Sequence, residues 1–533
     1  MKLLLALVLS SPFWGLGHPL WETDDARYAE VPREMVELGD WLTPRLDYFE
    51  YVEKPPLIYW LPALSYKLFG VSEAAARLPN ALLALAGLLG VWWLGSWLFS
   101  PSAGRWGAIL LGTCFQYFLL GRLLTPDMAL SVFLLWASAA ALRCLKRPED
   151  ARWAGPLAWV CMALAFLSKG LIAVLLPGLW LVLLLAFFPD LRRGLQGLLL
   201  NWGVPAFILI VGAWFAAMER RHPGFFHFFV VEQHFQRYLT PKYSRPGPWY
   251  YFFGVNAAGT LPWMPLFWAG AALPFIRWRE PGEASASRRQ LALWVAAVFG
   301  FFSASSSKLP TYILPLFAHQ ALLAGDLLAR LSEEEGALRK WLRGCSLPLA
   351  AVFALAALAG PLLAPRLAPL PLPPAALWAA SAFAMLQALA LASLPLRAPL
   401  KAAFLACAAN ALALAAAHGA SPLLSAKALA LDIAARFSPG DRIYCYDKYL
   451  HGIAFYVRRP VDVVNWVGEL HYAKRDPKYA GRFGDDDTLR TLDPGRTNFV
   501  VLDAKLFEHL KTLRPPGSLR RAAPYGSWIL VEI

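Results

Sequence analysis

Residues Trp21–Trp60, WETDDARYAEVPREMVELGDWLTPRLDYFEYVEKPPLIYW, place many ionisable side chains between strongly apolar sequences. No other part of the chain sets so many charged groups against such apolar neighbours. Charges beside a membrane are costly unless they are paired or used in function. Catalytic or binding residues are therefore expected in this stretch first, and the rest of the chain is expected to be arranged around it.

The composition indicates a membrane protein. Of the 533 residues, 58% are hydrophobic and 16% are charged, whereas a soluble protein has roughly a quarter charged residues. Many apolar runs reach the roughly 18–20 residues that cross a bilayer as a helix. The runs are continuous rather than alternating, which excludes a β-barrel. The prediction is an all-α polytopic membrane protein.

The formal charge of +14 does not indicate a nucleic-acid partner. The basic residues lie in short loops between apolar runs, as the positive-inside rule distributes them, and there is no basic domain that nucleic acid would need. Some of these residues are expected to meet membrane lipid head groups. The six cysteines form no CxxC pair, so neither a disulfide framework nor a thiolate metal site is indicated.

The apolar pattern predicts thirteen transmembrane helices. The first covers residues 1–17 and is expected to stay uncleaved, because no A-x-A site follows it. The others are expected at about 77–99, 105–121, 127–145, 154–168, 170–188, 197–217, 250–275, 290–305, 310–329, 345–363, 373–395 and 401–420. Polar loops are expected at 18–70, with an amphipathic piece near 56–70, and at 218–249.

The lysines and arginines lie mainly in alternate loops, which predicts a cytoplasmic N-terminus and an outer C-terminus. This topology places the two long polar loops and the tail after residue 420 on the outer side. Asp127 and Lys308 fall at the outer edge of their spans. The active face is therefore predicted to be extracytoplasmic.

Residues 1–420 are assigned to the membrane domain and residues 421–533 to a small α/β domain. Helices are predicted for AKALALDIAARF and KLFEHLKTL, and strands for DRIYCYD, IAFYV, NFVVLDA and SWILVEI. The domain shows no nucleotide-binding loop or catalytic constellation. Asp485–Asp487 is interpreted as a solvated loop in preference to a cation site. The expected role of the domain is to position a substrate or to cover the membrane site.

Within the opening stretch, Asp24 and Asp25 can begin a helix, since carboxylates favour a helix N-terminus. Arg27 lies three residues after Asp24, a spacing at which helical side chains meet. Pro55 disfavours helix in the residue before it, so Glu53-Lys54 is expected in a rigid extended loop that aims Lys54 at an anion. The alternative is a salt-bridged amphipathic helix that lies on the bilayer without chemistry.

Several motifs together resemble one family. WETDDARYAE…GDWLTPRLDYFEYVEKPPLIYW is similar to the first external loop of the 4-amino-4-deoxy-L-arabinose lipid A transferases, which belong with protein mannosyltransferases to the GT-C membrane glycosyltransferases. The resemblance continues through TPDM, SKG, EQHFQRY and SKLPTYILP along nearly the whole chain. It implies transfer of a sugar from a polyprenyl-phosphate donor at the outer face of the bacterial inner membrane.

The resemblance also assigns roles to residues. It implies two acidic positions, Asp24 and Asp127, with Arg27 and Lys54 stabilising charge on the leaving phosphate. Tyr28 and Tyr51 would line the site, and Glu53 and His234 would form a zinc-like divalent-metal pair that the reaction does not necessarily require. Further substrate-binding candidates are Lys169, Arg237, Lys308 and Tyr312. For Lys169 and Lys308 the alternative is a lysine that snorkels to the interface, and interfacial tyrosines such as Tyr312 are common.

The expected function is transfer of 4-amino-4-deoxy-L-arabinose from undecaprenyl phosphate to a lipid A phosphate. Inversion at the sugar is expected, because a single displacement needs only one catalytic carboxylate. No nucleotide cofactor is implied, and a monomer is expected. A related transferase with another sugar and a protein or glycan acceptor remains open. A transporter is disfavoured, because the charges concentrate at one face and no internal repeat is evident.

Overall fold

The computed structural model describes residues 1–236, 246–331, 336–367, 374–395 and 398–533. The chain divides into two compact units, each described below by itself. The first comprises residues 1–15 and 80–416, and the second comprises residues 16–79 and 417–533. The assignment of residues 1–420 and 421–533 to two domains stays a prediction. In the structure, the first polar loop belongs to the same unit as the C-terminal residues.

The first unit is helical. Its helices, with the one that enters it from the second unit, are Lys2–Ser10, Glu73–Leu98, Pro101–Thr113, Phe115–Leu120, Pro126–Lys146, Ala151–Lys169, Ile172–Phe187, Leu195–Leu199, Gly203–Arg221, Tyr251–Gly259, Met264–Ile276, Glu283–Ala304, Leu314–Ala329, Gly336–Leu367, Pro374–Ser393 and Pro399–Gly419. A π-helix covers His227–Gln236.

In the described ranges, eight helices are long and apolar enough to cross a membrane, and three shorter helices are also apolar. The eight are Glu73–Leu98, Pro126–Lys146, Pro148–Lys169, Gly203–Arg221, Pro310–Ala329, Leu338–Gly360, Ala375–Ser393 and Pro399–Gly419. The protein is an integral membrane protein. The count of thirteen spans stays a prediction.

Among the described residues, three of the predicted spans are interrupted, and the one at 197–217 breaks between Leu199 and Gly203. The span at 105–121 breaks at Cys114, which has extended backbone angles. The indole of Trp263 donates a hydrogen bond to the Thr113 hydroxyl at 2.8 Å beside this break. The span at 250–275 is interrupted between Gly259 and Met264, where Pro262 cannot supply a helical amide hydrogen. The apolar pattern predicted the runs but not these breaks.

The second unit contains the helix α1 (Asp24–Leu38), the helix α2 (Leu57–Phe69) and a hairpin between them. The helix α1 begins at the predicted Asp24 and ends at Leu38, and it is followed by the capping residue Gly39, whose φ of +67° suits a residue without a side chain. The hairpin pairs β1 (Arg45–Leu46) with β2 (Phe49–Glu50). Asp47 and Tyr48 form its turn, both with positive φ, as a type I′ hairpin turn requires.

The C-terminal residues form a six-stranded sheet with strands β3 to β8. Its strands are β3 (Arg442–Tyr446), β4 (Asp462–Val464), β5 (Phe483–Gly484), β6 (Asn498–Asp503), β7 (Arg521–Tyr525) and β8 (Trp528–Glu532), in the order β5-β4-β3-β6-β8-β7. The neighbours β5, β4, β3 and β6 are parallel, while β8 is antiparallel to β6 and β7. The helices of this region are Ser421–Leu424, Lys427–Arg436, His451–Val457, Asp486–Arg490 and Phe507–Leu513. The predicted α/β class is confirmed.

One predicted strand is wrong. The segment IAFYV lies in the helix His451–Val457, which connects the parallel strands β3 and β4. A parallel pair requires a crossover connection, and a short apolar run does not distinguish a helix from a strand. The acidic run Asp485–Asp487 begins another helix, where the Asp485 side chain accepts a hydrogen bond from the Thr488 amide.

Candidate functional site

Arg27 is the centre of an ionic cluster in the second unit. Its Nη2 donates to the carboxylate of Asp24, one helical turn earlier. Its Nη1 donates to Oε1 of Glu469 at 2.6 Å. The guanidinium also lies 5.3 Å from the ring centre of Tyr28. The Arg27 side chain is 9% exposed and that of Asp24 is 55% exposed, so a ligand can reach Asp24 more easily than Arg27.

Three tyrosines and Glu53 lie in the same unit. Tyr28 stacks on Tyr59 with ring centres 6.0 Å apart. The hydroxyl of Tyr51 lies 3.4 Å from Oε2 of Glu53, and Nδ1 of His471 lies 3.5 Å from Oε1 of the same carboxylate. Burial raises the pKa of Tyr51 well above its usual value, so its hydroxyl stays protonated and can donate. Glu53 is therefore surrounded by potential hydrogen-bond donors.

The loop that carries Lys54 is non-helical and bends at Glu53 and Lys54 before the next helix begins at Leu57. Lys54 is partly buried. Its predicted contact with a phosphate stays a prediction.

The first turn of α1 is held by two carboxylates that were not among the predicted site residues. Asp25 pairs with the fully buried Arg77, whose Nε lies 3.3 Å from Oδ1 of Asp25. The carboxylate of Glu22 accepts from the amides of His451 and Gly452 at 2.9 and 2.8 Å. Because these contacts flank Asp24, they fix the start of the helix that presents it.

The far end of α1 has a buried network of charges. Arg33 donates to both oxygens of Glu30 at 2.7 and 2.6 Å. In the turn of the hairpin, Asp47 pairs with Arg482 at 2.9 Å and accepts from the Val461 amide at 2.9 Å. Burial raises the pKa of Asp47 well above its usual value, although Arg482 opposes this shift. The two contacts of Asp47 connect segments more than 400 residues apart, so no local spacing predicted them.

Three predicted residues meet in the first unit. The ammonium of Lys169 pairs with Asp127, which lies in the first turn of the helix Pro126–Lys146 and is 4% exposed. The same ammonium lies 4.5 Å from the ring centre of Tyr312. Lys169 therefore has a buried carboxylate partner instead of simply reaching towards the interface.

His234 lies beside the same segment of the first unit. Its Nδ1 is 2.6 Å from the Phe229 carbonyl, to which only a protonated nitrogen can donate, so Nε2 is the acceptor nitrogen. The Leu171 amide lies 3.4 Å from Nε2. A backbone carbonyl that fixes the tautomer in this way is the usual outer-shell partner of a metal-binding histidine. Nε2, the nitrogen that would bind a metal, nevertheless has backbone groups beside it already, so the metal role of His234 stays a prediction.

Lys308 is buried, and its side chain caps the C-terminal end of a helix. Its ammonium donates to the carbonyls of Ser305 and Ser303 at 2.6 and 2.9 Å, next to the C-terminus of the helix Glu283–Ala304. Basic groups stabilise helix C-termini in this way. Its phosphate contact stays a prediction, and Arg237 lies outside the described residues.

The predicted metal pair is Glu53, in the second unit, and His234, in the first. In the part of the chain that the structure describes, no group of three or more His, Cys, Asp or Glu side chains is arranged to hold a metal. Each predicted ligand nevertheless has suitable chemistry, since a carboxylate and a neutral imidazole both bind zinc. The metal therefore stays a prediction that rests on these two residues.

Comparison with known proteins gives consistent matches. Residues 53–215 match the family model of the dolichyl-phosphate-mannose-protein mannosyltransferases. The undecaprenyl phosphate-alpha-4-amino-4-deoxy-L-arabinose arabinosyl transferase of Aeromonas salmonicida is 33% identical over 340 residues, which are 61% of this chain. The match covers 60% of that relative's own length. A namesake from Sodalis glossinidius is 31% identical over 57% of this chain and 55% of its own.

Solved structures extend the similarity over the whole chain. ArnT from Cupriavidus metallidurans bound to undecaprenyl phosphate is 27% identical, with a TM-score of 0.86 over 100% of this chain and 97% of its own. The oligosaccharyltransferase AglB of Archaeoglobus fulgidus, at 14% identity and a TM-score of 0.52, shares the fold alone over 95% of this chain and 69% of its own. The chain is therefore similar to ArnT over its whole length and shares the GT-C fold of that membrane glycosyltransferase.

Proposed function

We propose that the chain transfers 4-amino-4-deoxy-L-arabinose from undecaprenyl phosphate to a phosphate of lipid A. The reaction takes place at the periplasmic face of the bacterial inner membrane, with inversion at the sugar. The observation that carries this proposal is the similarity over the full chain to ArnT in its complex with undecaprenyl phosphate. The names of the arabinosyl transferase relatives support the choice of sugar.

The charged residues suit this chemistry. In glycosyl transfer the sugar approaches an oxocarbenium-like state, and negative charge grows on the departing phosphate. Arg27 and Lys54 are proposed to stabilise that charge, an effect that is largest where water is excluded. The second unit supplies such an environment around Arg27, whose side chain is 9% exposed.

Asp24 is not proposed to act as a strong general base. A lipid A phosphate is already ionised, so little deprotonation of the acceptor is needed. Asp24 pairs with Arg27 and keeps an exposed carboxylate surface. It is proposed to orient Arg27 and to attract the ammonium of the amino sugar.

The remaining features of the proposal concern the metal and the membrane. Glu53 and His234 would hold a divalent cation, which would supply Lewis-acid stabilisation of phosphate oxygens when bound. The N-terminus would be cytoplasmic and the C-terminal sheet periplasmic, as the distribution of lysine and arginine indicates. The enzyme is proposed to act as a monomer.

Expression in a host that lacks its own aminoarabinose transferase tests the proposal. Mass spectrometry of lipid A should show addition of the amino sugar with the natural chain, and strongly reduced addition with Asp24→Asn. Determination of the product anomer tests inversion. Unmodified lipid A in the presence of the donor would exclude the proposed acceptor or sugar, whereas full activity of Asp24→Asn would remove Asp24 from the catalytic residues.

A second candidate is a transferase that uses another polyprenyl-phosphate sugar with a protein or glycan acceptor. The match of residues 53–215 to the protein mannosyltransferase model favours it. The two candidates differ in the acceptor, so analysis of glycosylated protein in the same host distinguishes them.

A further inference from the structure

We propose that Glu469, in the C-terminal part of the chain, is a positioning residue for Arg27. This inference rests on the proposed function, because it assigns Arg27 to the donor phosphate. It gives the C-terminal residues a part in positioning a catalytic group, beyond supporting or covering the membrane site.

The geometry at Arg27 carries the inference. The two terminal nitrogens of the guanidinium donate to different carboxylates, Nη2 to Asp24 and Nη1 to Glu469. Two anchors on separate nitrogens fix both the position and the plane of a rigid planar group. With Asp24 alone, the guanidinium would be free to rotate about its single anchor.

The arrangement leaves hydrogen-bond donors for a ligand. A guanidinium has five N–H donors, and Glu469 and Asp24 account for two of them. Within the described residues, Nε of Arg27 is buried and has no hydrogen-bond partner. Buried donors are seldom left unpaired without a reason. A phosphate oxygen is the chemistry that the N–H groups left over by the two carboxylates would bind.

The turn that carries Glu469 faces the first loop at two points. Glu469 and His471 belong to the short 3₁₀ helix Gly468–His471. Glu469 contacts Arg27, and Nδ1 of His471 lies 3.5 Å from the carboxylate of Glu53. One turn thus touches two residues that were predicted for the site, and a role in their placement explains both contacts.

The physical consequence is a loss of orientation when Glu469 is removed. Misplacement of a catalytic group by about 1 Å can cost on the order of a hundredfold in rate. Because Asp24 still holds Arg27, we expect a smaller loss in Glu469→Ala, about tenfold in kcat. The KM for the donor should change less, since Arg27 acts mainly on charge that develops in the transition state.

The experiment compares three variants in the purified full-length protein with an undecaprenyl-phosphate aminoarabinose donor. Glu469→Ala should lower kcat about tenfold, and Glu469→Gln should recover most of it, because the amide oxygen still accepts from Nη1. Glu508→Ala is the matched control, since Glu508 is 80% exposed and pairs only locally with Lys511 among the described residues. Wild-type kcat in Glu469→Ala, or no recovery in Glu469→Gln, would overturn the proposal.

A double-mutant cycle shows whether Glu469 acts through Arg27. In an Arg27→Ala background, Glu469→Ala should cause no further loss of kcat, because the group that it positions is absent. Additive losses would overturn the proposal. If Glu469→Ala does not fold, the cycle is run with Glu469→Gln and Glu469→Asp.

Thermal unfolding of the same four proteins separates this proposal from the proposed function. An Arg27–Glu469 contact makes the two substitutions non-additive in melting temperature even when no sugar is transferred. Non-additive melting with an inactive wild type would retain the positioning contact and reject the proposed transfer. Additive melting would reject the contact itself.

Discussion

The buried guanidinium of Arg77 and the carboxylate of Asp25 form an ion pair at the start of the helix Asp24–Leu38. Arg77 also donates to the carbonyls of Leu16 and His18 at 2.7 and 2.5 Å. Asp25 accepts in addition from the Trp21 amide at 3.2 Å. The pair thereby ties together the chain before the helix, the helix itself and the start of the helix Glu73–Leu98. Asp24, the adjacent residue, receives its position from this arrangement.

Removal of one member of this pair should destabilise the protein strongly. Arg77→Ala leaves Asp25 buried without its cation, which costs about 3–5 kcal/mol in the free energy of unfolding. The exposed pair Arg490–Asp487 is the control, and Arg490→Ala should cost about 0–1 kcal/mol. Denaturant titration measures both values. Equal losses in the two variants would contradict the structural role of Asp25 and Arg77.

Asp127→Asn should reduce the proposed transfer about a hundredfold in kcat, because it removes the charge that holds Lys169 in place. Of the two contacts of Lys169 reported above, only the one with Asp127 is with an anion, and the other is with the ring of Tyr312. Kinetics per folded molecule measure the effect.

The control for that experiment is Asp326→Asn. Asp326 is 5% exposed and pairs with Arg288 at 2.7 Å, so its loss removes a comparable buried carboxylate outside the predicted site. Asp326→Asn should lower stability while kcat per folded molecule is retained. A similar loss of kcat in both variants would indicate that Asp127 is structural.

The raised pKa of Glu22 predicts that the stability of the folded protein depends on pH. Desolvation raises its pKa to about 8, although the His451 and Gly452 amides oppose the shift. A raised carboxyl pKa means that the folded state binds a proton that the unfolded state releases. The stability that Glu22 contributes is therefore full below its unfolded pKa, near 4.5, and is lost as pH rises through about 8.

Melting temperatures of the wild type and Glu22→Gln between pH 5 and 8 measure this contribution. The advantage of the wild type over the variant should shrink as pH rises, because glutamine does not titrate. Glu508→Gln, at an exposed position, is the matched control. A difference for Glu22→Gln that grows with pH would have the wrong sign.

The metal prediction has a readout that is independent of activity. Zinc measured by elemental analysis of the purified protein should be close to one atom per chain and should fall at least about fivefold in Glu53→Gln and His234→Ala. The control is His227→Ala, on the same π-helix but 69% exposed. Zinc content that is unchanged in both ligand variants would exclude this pair.

Local features of the sequence predicted the parts of the fold that depend on short-range interactions. The helix that begins at Asp24 and its i,i+3 contact with Arg27 were predicted, since both follow from helical spacing. The strand assignment of IAFYV was wrong, because its identity as a helix depends on the parallel pairing of β3 and β4. A short apolar run contains no information about that pairing.

The site residues that were predicted are those that belong to motifs of the resembled family. Asp127, Lys169 and Tyr312 were selected from motifs, and the structure places them together. Glu469 and His471 were missed, because they lie in a polar stretch without periodicity or a recognised motif. A carboxylate two residues before a histidine in a short turn was the only local signal, and it is too common to be specific.

The sequence by itself determined that the chain is a helical membrane protein with charged loops, because hydrophobic length and charge distribution act locally along the chain. Only the tertiary structure decided which charges pair. Arg27 meets Glu469 across 442 residues, and Asp47 meets Arg482 across 435. Such pairs form because burial makes an unpaired charge costly, and the partner that satisfies it is selected by the folded arrangement of distant segments. The charge-rich stretch Trp21–Trp60 thus contains its own catalytic candidates, while residues near the other end of the chain hold them in place.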